Sequence, residues 1–305
     1  MKFAYSSVKM KTIGFFINTS KPEASKVVSD AAEWLRSNDI VPLIPDEQAE
    51  ALGVAGCGYE QNEVVERSDV LLVLGGDGTL LSAAHTPLIE NVPILAINLG
   101  HLGFLTDVSR VELYPALTNI CKGEYDIDQR MMLEVVSEDH QNGTHSSSFA
   151  LNDVVIRDDY PRLIELETYI DEKPFITYNA DGLIIATPSG STGYSLACDG
   201  TIVHPHLDAI LLTPIAPHSL TIRPYIAHGD SEIMVTLPSD CKSVSLFVDG
   251  PRETHGLAPD HIIRVRKAKK TIKLIRSQQR SYYEVLRAKL MLGEGTKRKT
   301  KNTEP

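Results

Sequence analysis

The apolar residues of this chain follow two rhythms, and the change comes near residue 125. In the first part, short runs with almost no polar interruption alternate with stretches of helical spacing. Thr12–Ile17 is apolar and β-branched, and the Asn18–Pro22 turn behind it can cap a helix. From Ala24 to Asn38 the apolar positions Val27, Val28, Ala31, Trp34 and Leu35 have the spacing of one helix face. Ile40–Ile44, Asp69–Leu74 and Pro93–Asn98 read as further strands. The second of these is apolar nearly throughout, as a strand covered on both faces must be. Strands alternating with helices predict a parallel, doubly wound sheet.

From about Tyr125 to Arg280 the pattern becomes strand after strand. Leu151–Ile156, Leu163–Ile170, Gly182–Ala186, Glu232–Leu237, Ser243–Val248 and Ile262–Arg266 are short, with Gly, Pro, Asp and Asn between them. This predicts an antiparallel second domain, a sandwich or an open barrel. Ser281–Leu290 is amphipathic, and its place after the β region predicts a helix that packs back on the first domain. The expected division is an α/β nucleotide-binding domain over residues 1–125, completed by the helix 281–292, and a β-rich domain over 126–280. Residues 293–305, with Lys297, Arg298, Lys299 and Lys301 and hardly an apolar position, are expected to be a disordered tail.

Composition narrows the function. The length of 305 residues suits two domains with a core each. With 42% hydrophobic and 23% charged residues the chain is an ordinary globular one. A net charge of −10 excludes non-specific binding to a nucleic-acid backbone as its task. Cys57, Cys121, Cys198 and Cys241 form no CxxC pair, which argues against a disulfide framework or a structural zinc site and for a reducing compartment. The first residues lack the apolar run of a signal peptide, and no stretch approaches a membrane span; a cytoplasmic protein is expected.

Two segments carry chemistry. Gly75-Gly76-Asp77-Gly78-Thr79 follows an apolar strand and opens the helical stretch Leu80–Ala84. Glycines there let the backbone approach a phosphate and aim N–H groups at it. Asp77 would repel a polyphosphate unless it meets a metal or takes a proton from an attacking hydroxyl; alternatively it caps the next helix. The second segment, Asn179–Ser195, runs from an apolar strand into the block Thr187-Pro188-Ser189-Gly190-Ser191-Thr192-Gly193-Tyr194-Ser195. Such a block offers hydrogen-bonding groups, close backbone approach and, in Tyr194, a ring that can stack on a base; a Gly/Ser-rich hairpin loop would have the same composition. His204 and His206 flank Pro205 with no third ligand nearby, which argues against zinc.

Taken in order, Gly75–Thr79, Asn98–Leu105, Leu151–Ile156, Asp181–Ser195, Ala216–Pro224 and Tyr283–Leu290 resemble the NAD kinase family over nearly the whole chain. The resemblance implies a Rossmann-like first domain and a β-rich second one. It implies phosphorylation of the adenosine ribose 2′-hydroxyl of NAD⁺ by ATP, with Mg²⁺ or another divalent metal, to give NADP⁺ and ADP. It also implies a homodimer or homotetramer with the NAD site near a subunit interface. By the same carry-over Asp77 is the general base, and Gly75, Gly76, Gly78 and Thr79 line the phosphates. Asn152 and Asp153 contact the adenosine part, and Asn179 and Asp181 the nicotinamide side. Thr192, Gly193, Tyr194, Ser195, Leu196 and Ala197 lie around the adenine, and Arg162 is a further candidate.

The chain departs from the family pattern at four places. Asn152-Asp153 stands where Asn-Glu is usual, and Ala197 where serine is common. Cys198-Asp199-Gly200-Thr201 replaces a run closer to Gly-Gly-Pro, and Asp249-Gly250-Pro251 replaces Asp-Gly-Gln. Two other readings share parts of the pattern: a GGDG-type lipid kinase, and a non-catalytic NAD(H)-binding sensor. No basic amphipathic helix suited to a lipid surface is evident, and the intact Asp77 argues against the sensor.

Overall fold

A computed structural model describes residues 10–292 except 101, 140–143, 161, 239–242, 258, 260 and 278. The tail expected at 293–305, Cys241 and His101 thus lie outside the described residues. The chain divides into two compact units. Unit 1 takes the residues up to Leu80, Ile94–Ile127 and those from Ile275 on; unit 2 takes Leu81–Pro93 and Asp128–Leu274.

Unit 1 is the α/β unit. Its strands are β1 (Thr12–Ile17), β2 (Val41–Leu43), β3 (Val70–Gly75), β4 (Ile94–Asn98) and β5 (Val108–Ser109). The helices are α1 (Ala24–Ser37), α2 (Asp46–Leu52), α3 (Gln61–Glu66), the first turn of α4 (Asp77–Ala84), and α5 (Leu113–Lys122). The strands pair in the order β2-β1-β3-β4-β5, all parallel. The order reverses between β1 and β3, where a sheet of this kind opens a crevice at its carboxyl edge; Gly75 ends β3 at that edge. Every residue of β3 and β4 is buried. One face is covered by α1, which buries Val27, Val28, Ala31, Ala32 and Leu35 against Phe15, Leu72 and Leu95.

Unit 2 is a sandwich. Its strands are β6 (Ile127–Asp139), β7 (Thr144–Ala150), β8 (Asp153–Asp158), β9 (Ile164–Ile170), β10 (Lys173–Ala180), β11 (Gly182–Ala186), β12 (Ala209–Ile215), β13 (Tyr225–His228), β14 (Ile233–Thr236), β15 (Val244–Val248), β16 (Glu253–Leu257) and β17 (Ile262–Ile275). A single helical turn, α6 (Tyr194–Ala197), follows β11. One sheet within the unit runs β10-β9-β14-β17-β6-β7; the other runs β13-β12-β11-β8-β15-β16 and is antiparallel throughout. Leu133, Leu166, Tyr178, Val235 and Ile263 of the first sheet share a core with Val154, Ile156, Ile185, Leu212 and Leu246 of the second. The outer face of the second sheet buries Val155, Ile184 and Leu211 beneath Val203.

The chain then returns to unit 1 as α7 (Tyr282–Leu290). Ser281 and Glu284 form a capping box at its start, and Lys289 Nζ lies 5.4 Å from the centre of the Phe104 ring. Residues 81–93, which the sequence assigned to the first domain, group instead with unit 2. Their anchor is His85, whose Nε2 sits 2.9 Å from Oδ2 of Asp249.

Candidate functional site

In unit 1 the glycine-rich segment turns directly from β3 into α4. Gly75 is paired with Asn98 of β4, and its carbonyl accepts from Leu99 N at 2.9 Å. Gly76 N donates to Thr79 Oγ1 at 3.3 Å, and Thr79 N and Leu80 N return to the Gly76 carbonyl at 2.9 and 3.1 Å. Asp77 is the first residue of α4, and its carboxylate is bound to another loop. Oδ2 accepts from Phe104 N at 2.8 Å; Oδ1 accepts from Leu105 N at 3.2 Å, Thr106 N at 2.9 Å and Thr106 Oγ1 at 2.8 Å. Thr106 Oγ1 also accepts from Asn98 Nδ2 at 3.0 Å. The approach is possible only because residue 103 has no side chain: a Cβ on Gly103 would lie 1.9 Å from Asp77 Oδ1. Asp77 is therefore held in one orientation by four donors, which neither a plain turn nor a helix cap would require.

In unit 2 five of the sequence-predicted residues, Asn152, Asp153, Arg162, Asn179 and Tyr194, line two cavities. One, of about 450 Å³, is lined by Leu81, Asn152, Asp153, Val155, Arg157, Tyr194, Phe247 and the turn Asp249–Pro251. Asp153, Val155 and Arg157 alternate along β8 and so share a face, and the Arg157 guanidinium lies 4.9 Å from the centre of the Phe247 ring. Tyr194 is 38% exposed. Asp153 is 5% exposed; burial first, and the nearby Asp249 charge second, push its carboxyl up to about 7, with Arg252 pulling the other way. The second cavity, of about 520 Å³, is lined by Arg162, Leu163, Ile164, Glu165, Asn179, Leu237, Pro238 and Val244. Arg162 is paired with Asp158 there, Nη2 to Oδ2 at 3.0 Å. Asp181 is half-buried between β10 and β11.

The Thr187–Tyr194 block is pinned from several sides. Thr187 Oγ1 donates to the Leu151 carbonyl at 2.7 Å, and Thr187 N to the Asn152 carbonyl at 2.8 Å. A Cβ on Gly190 would lie 2.0 Å from that same Asn152 oxygen. Ser189 Oγ accepts from the buried Arg130, whose Nε donates to Asp128 Oδ2 at 2.9 Å. Thr192 Oγ1 donates to the Ser189 carbonyl and Gly193 N to the Gly190 carbonyl. Ser195 is fully buried with its hydroxyl against Thr213, Leu196 is half-buried and Ala197 is exposed. His206 Nε2 bonds Asp128 at 2.7 Å, and among the described residues no group of three or more His, Cys, Asp or Glu is placed to hold a metal by itself.

Several participants have no signal in the sequence. Thr106 and Asn98 brace Asp77, Arg130 braces Ser189, and the Asp249 carboxylate, with His85 on it, meets the start of β8. All come from positions far apart in the chain, and only Asn98 and Asp249 stood in segments with a recognisable pattern.

A glycine-rich turn with a fixed carboxylate at the crevice of a parallel sheet, and a sandwich with a polar loop against a partly apolar cavity, define a nucleotide-handling phosphotransferase of two units. The comparisons agree. The ATP-NAD kinase N-terminal domain family matches residues 13–125 and the ATP-NAD kinase C-terminal domain family residues 151–277. The chain belongs to the ATP-NAD kinase family. The NAD kinase of Geotalea daltonii is 41% identical over 289 residues, covering 93% of this chain and 100% of that one; that of Geobacter sulfurreducens is 42% identical over 287 residues with the same coverage. A crystal structure of yeast NADH kinase complexed with NADH superposes with a TM-score of 0.87 at 25% identity, covering 95% of this chain and 90% of that chain. An NAD kinase from Archaeoglobus fulgidus in complex with ATP shares the fold, with a TM-score of 0.72 at 21% identity over 92% of this chain and 98% of its own. The activity is thus ATP-dependent phosphorylation of NAD, and neither the lipid-kinase nor the sensor reading is favoured.

Proposed function

We propose that Asp77 is the general base of this phosphoryl transfer. It takes the proton from the 2′-hydroxyl of the adenosine ribose of NAD⁺ as that oxygen accepts the γ-phosphoryl group of ATP, leaving NADP⁺ and ADP. A ribose hydroxyl is a weak nucleophile, so an oriented carboxylate supplies what the reaction lacks. The observation that carries the assignment is the orientation itself: four donors and the gap at Gly103 fix the carboxylate at the first turn of α4.

In the same reading Gly75, Gly76, Gly78 and Thr79 line the phosphates, Asn152 and Asp153 contact the adenosine part, and Asn179 and Asp181 the nicotinamide side. Thr192, Gly193, Tyr194, Ser195, Leu196 and Ala197 bound the adenine, and Arg162 contributes beside Asn179. The NADH of the yeast relative and the ATP of the archaeal one support these ligand classes. The divalent cation, Mg²⁺ by preference, enters on ATP, whose phosphate oxygens supply most of its ligands. The protein acts in the cytoplasm, in keeping with the free Cys57, Cys121 and Cys198. It works as a homodimer or homotetramer with the NAD site near a subunit interface; the exposed Tyr225 and Ile226 on the edge strand β13 support such an association.

The test is a coupled assay of NADP⁺ formation from NAD⁺, ATP and Mg²⁺, run on the wild type and Asp77→Asn. The variant should keep its circular dichroism and its NAD⁺ affinity while turnover falls by about 10²–10⁴. A folded variant at wild-type turnover would remove Asp77 as the base.

A further inference from the structure

The turn Asp249–Arg252 joins β15 to β16 and is built on two successive positive φ angles, +51° at Asp249 and +79° at Gly250. Asp249 is a non-glycine residue in the left-handed region, where backbone strain is tolerated only if the surroundings hold it. Here its side chain is the holding element. The Asp249 carboxylate is 2% exposed and accepts from three consecutive main-chain amides: Leu151 N at 2.8 Å, Asn152 N at 2.7 Å and Asp153 N at 3.1 Å. Its remaining partner is His85 Nε2 at 2.9 Å, and Asp249 N donates to the Asp153 carbonyl at 2.9 Å.

The other side of the same peptides is taken as well. The Leu151 and Asn152 carbonyls accept from Thr187 Oγ1 and N, so the main chain of 151–153 is clamped between two loops. The side chain of Asn152 is treated in the opposite way. Its Oδ1 is buried and has no hydrogen-bond partner among the described residues, although the residue lines the 450 Å³ cavity. A backbone satisfied on both edges beneath an unsatisfied acceptor is the arrangement of a preorganised ligand contact, because an orphaned buried polar group is costly until something pairs with it.

We propose that Asp249, with His85 docked on it, is a positioning residue that fixes Asn152 and Asp153 for the bound dinucleotide. The assignment rests on the reading that Asn152 and Asp153 contact NAD. It explains why the turn keeps an aspartate in a left-handed conformation and why residues 81–93 belong with unit 2. It also gives Pro251 a reason to be tolerated: the turn works through the carboxylate two residues before it, and not through the side chain at 251.

The experiment compares Asp249→Asn, His85→Ala and His85→Gln with the wild type, reading KM for NAD⁺, kcat and the pH dependence of KM. Each carboxylate oxygen accepts from a main-chain amide, Oδ2 from Leu151 N (and His85) and Oδ1 from Asn152 N and Asp153 N, so whichever way an amide at 249 is turned its NH₂ leaves at least one of them without an acceptor. Asp249→Asn should raise KM for NAD⁺ about tenfold or more with kcat within about threefold. His85→Ala should do the same more weakly, and His85→Gln, which restores a donor, should recover most of the loss. A loss of stability alone would leave KM of the folded enzyme unchanged, and the pH profile separately reads the charge that Asp249 places beside Asp153. The groups facing Asp153 are Asp249 and Arg252 from the turn and Arg157 along β8, with His85, Glu253 and His255 behind Asp249. Removing the Asp249 charge should carry the inflection of KM near neutrality to lower pH.

Unchanged KM and an unmoved profile in both Asp249→Asn and His85→Ala would overturn the proposal, as would lower stability alone. If Asp249→Asn does not fold, the His85 pair decides. If the wild type makes no NADP⁺, the kinase reading fails separately; calorimetry with NAD⁺ then still reads the clamp, and equal affinity in wild type and His85→Ala would overturn it.

Discussion

Replacing Asp153 by asparagine should make the protein less sensitive to pH and more stable above neutrality. In the folded protein this carboxyl is buried beside Asp249 and titrates near 7, against an ordinary 3.8. Below 3.8 it is protonated whether the chain is folded or not, and it contributes nothing. Between 3.8 and 7 the unfolded chain releases the proton and the folded one keeps it, so stability falls as pH rises. Above 7 both are ionised and the penalty is complete. The rise from 3.8 to about 7, at about 1.4 kcal/mol per pH unit, comes to about 4 kcal/mol at most. Asparagine has nearly the same shape and no proton to lose. The variant should match the wild type within about 1 kcal/mol at pH 4 and exceed it by about 2–4 kcal/mol at pH 8. Urea unfolding followed by far-ultraviolet circular dichroism at several pH values measures this. The single tryptophan, Trp34, lies in α1 of unit 1 and would report the wrong part of the molecule. Parallel stability curves for the two proteins across the whole range would mean that Asp153 does not carry a buried, charge-opposed carboxyl, and the account of this cavity's electrostatics would fall with it.

Three further outcomes follow from packing. Tyr178 is fully buried in the core of unit 2, its hydroxyl has no partner among the described residues, and burial pushes it up to about 12; Tyr178→Phe should leave stability equal or raise it by about 1 kcal/mol in urea unfolding. Gly103→Ala forces a methyl onto Asp77 Oδ1 and should lower kcat by at least about tenfold, while NAD⁺ affinity by calorimetry changes little. Arg130→Ala leaves Asp128 buried without its guanidinium and frees Ser189, which should cost about 3–5 kcal/mol of stability, read as a lower urea midpoint.

Elements whose residues answer to one environment were legible in the sequence. Thr12–Ile17, Ala24–Ser37, Gly182–Ala186 and Tyr282–Leu290 came out within a residue, because each is a single apolar run or stripe bounded by turn residues. Short α2 and α3 were missed: each buries only one or two side chains, too few to set a period. The strand β17 was seen only as far as Arg266, since beyond it Lys267, Lys269, Lys270 and Lys273 leave an alternation dominated by charge. The β6–β7 pair was missed for a similar reason: Glu134, Ser137 and Glu138 in β6 and the run Ser146–Ser148 in β7 break the apolar alternation. At the site, Gly75–Thr79 and the Thr187–Tyr194 block could be read because backbone approach demands small residues in sequence. The clamp at 151–153 could not, since its donors and its acceptor lie about a hundred residues apart and no local spacing links them.

Unit 1 is assembled from three separate lengths of chain, and that has a consequence for synthesis. Its core contains Ile275 beside residues from β1, α1, β3 and α5, Glu112 accepts from Ser277 Oγ at 2.7 Å, and α7 supplies the cation over Phe104. A ribosome releases the first two lengths long before the third, so the nascent parallel sheet must wait through the whole of the sandwich with part of its apolar surface bare. Unit 2, whose last residue is Leu274, can close first. The order of folding is then the reverse of the order in which the two units begin, and unit 1 is the part whose apolar surface stays bare longest while the chain is being made.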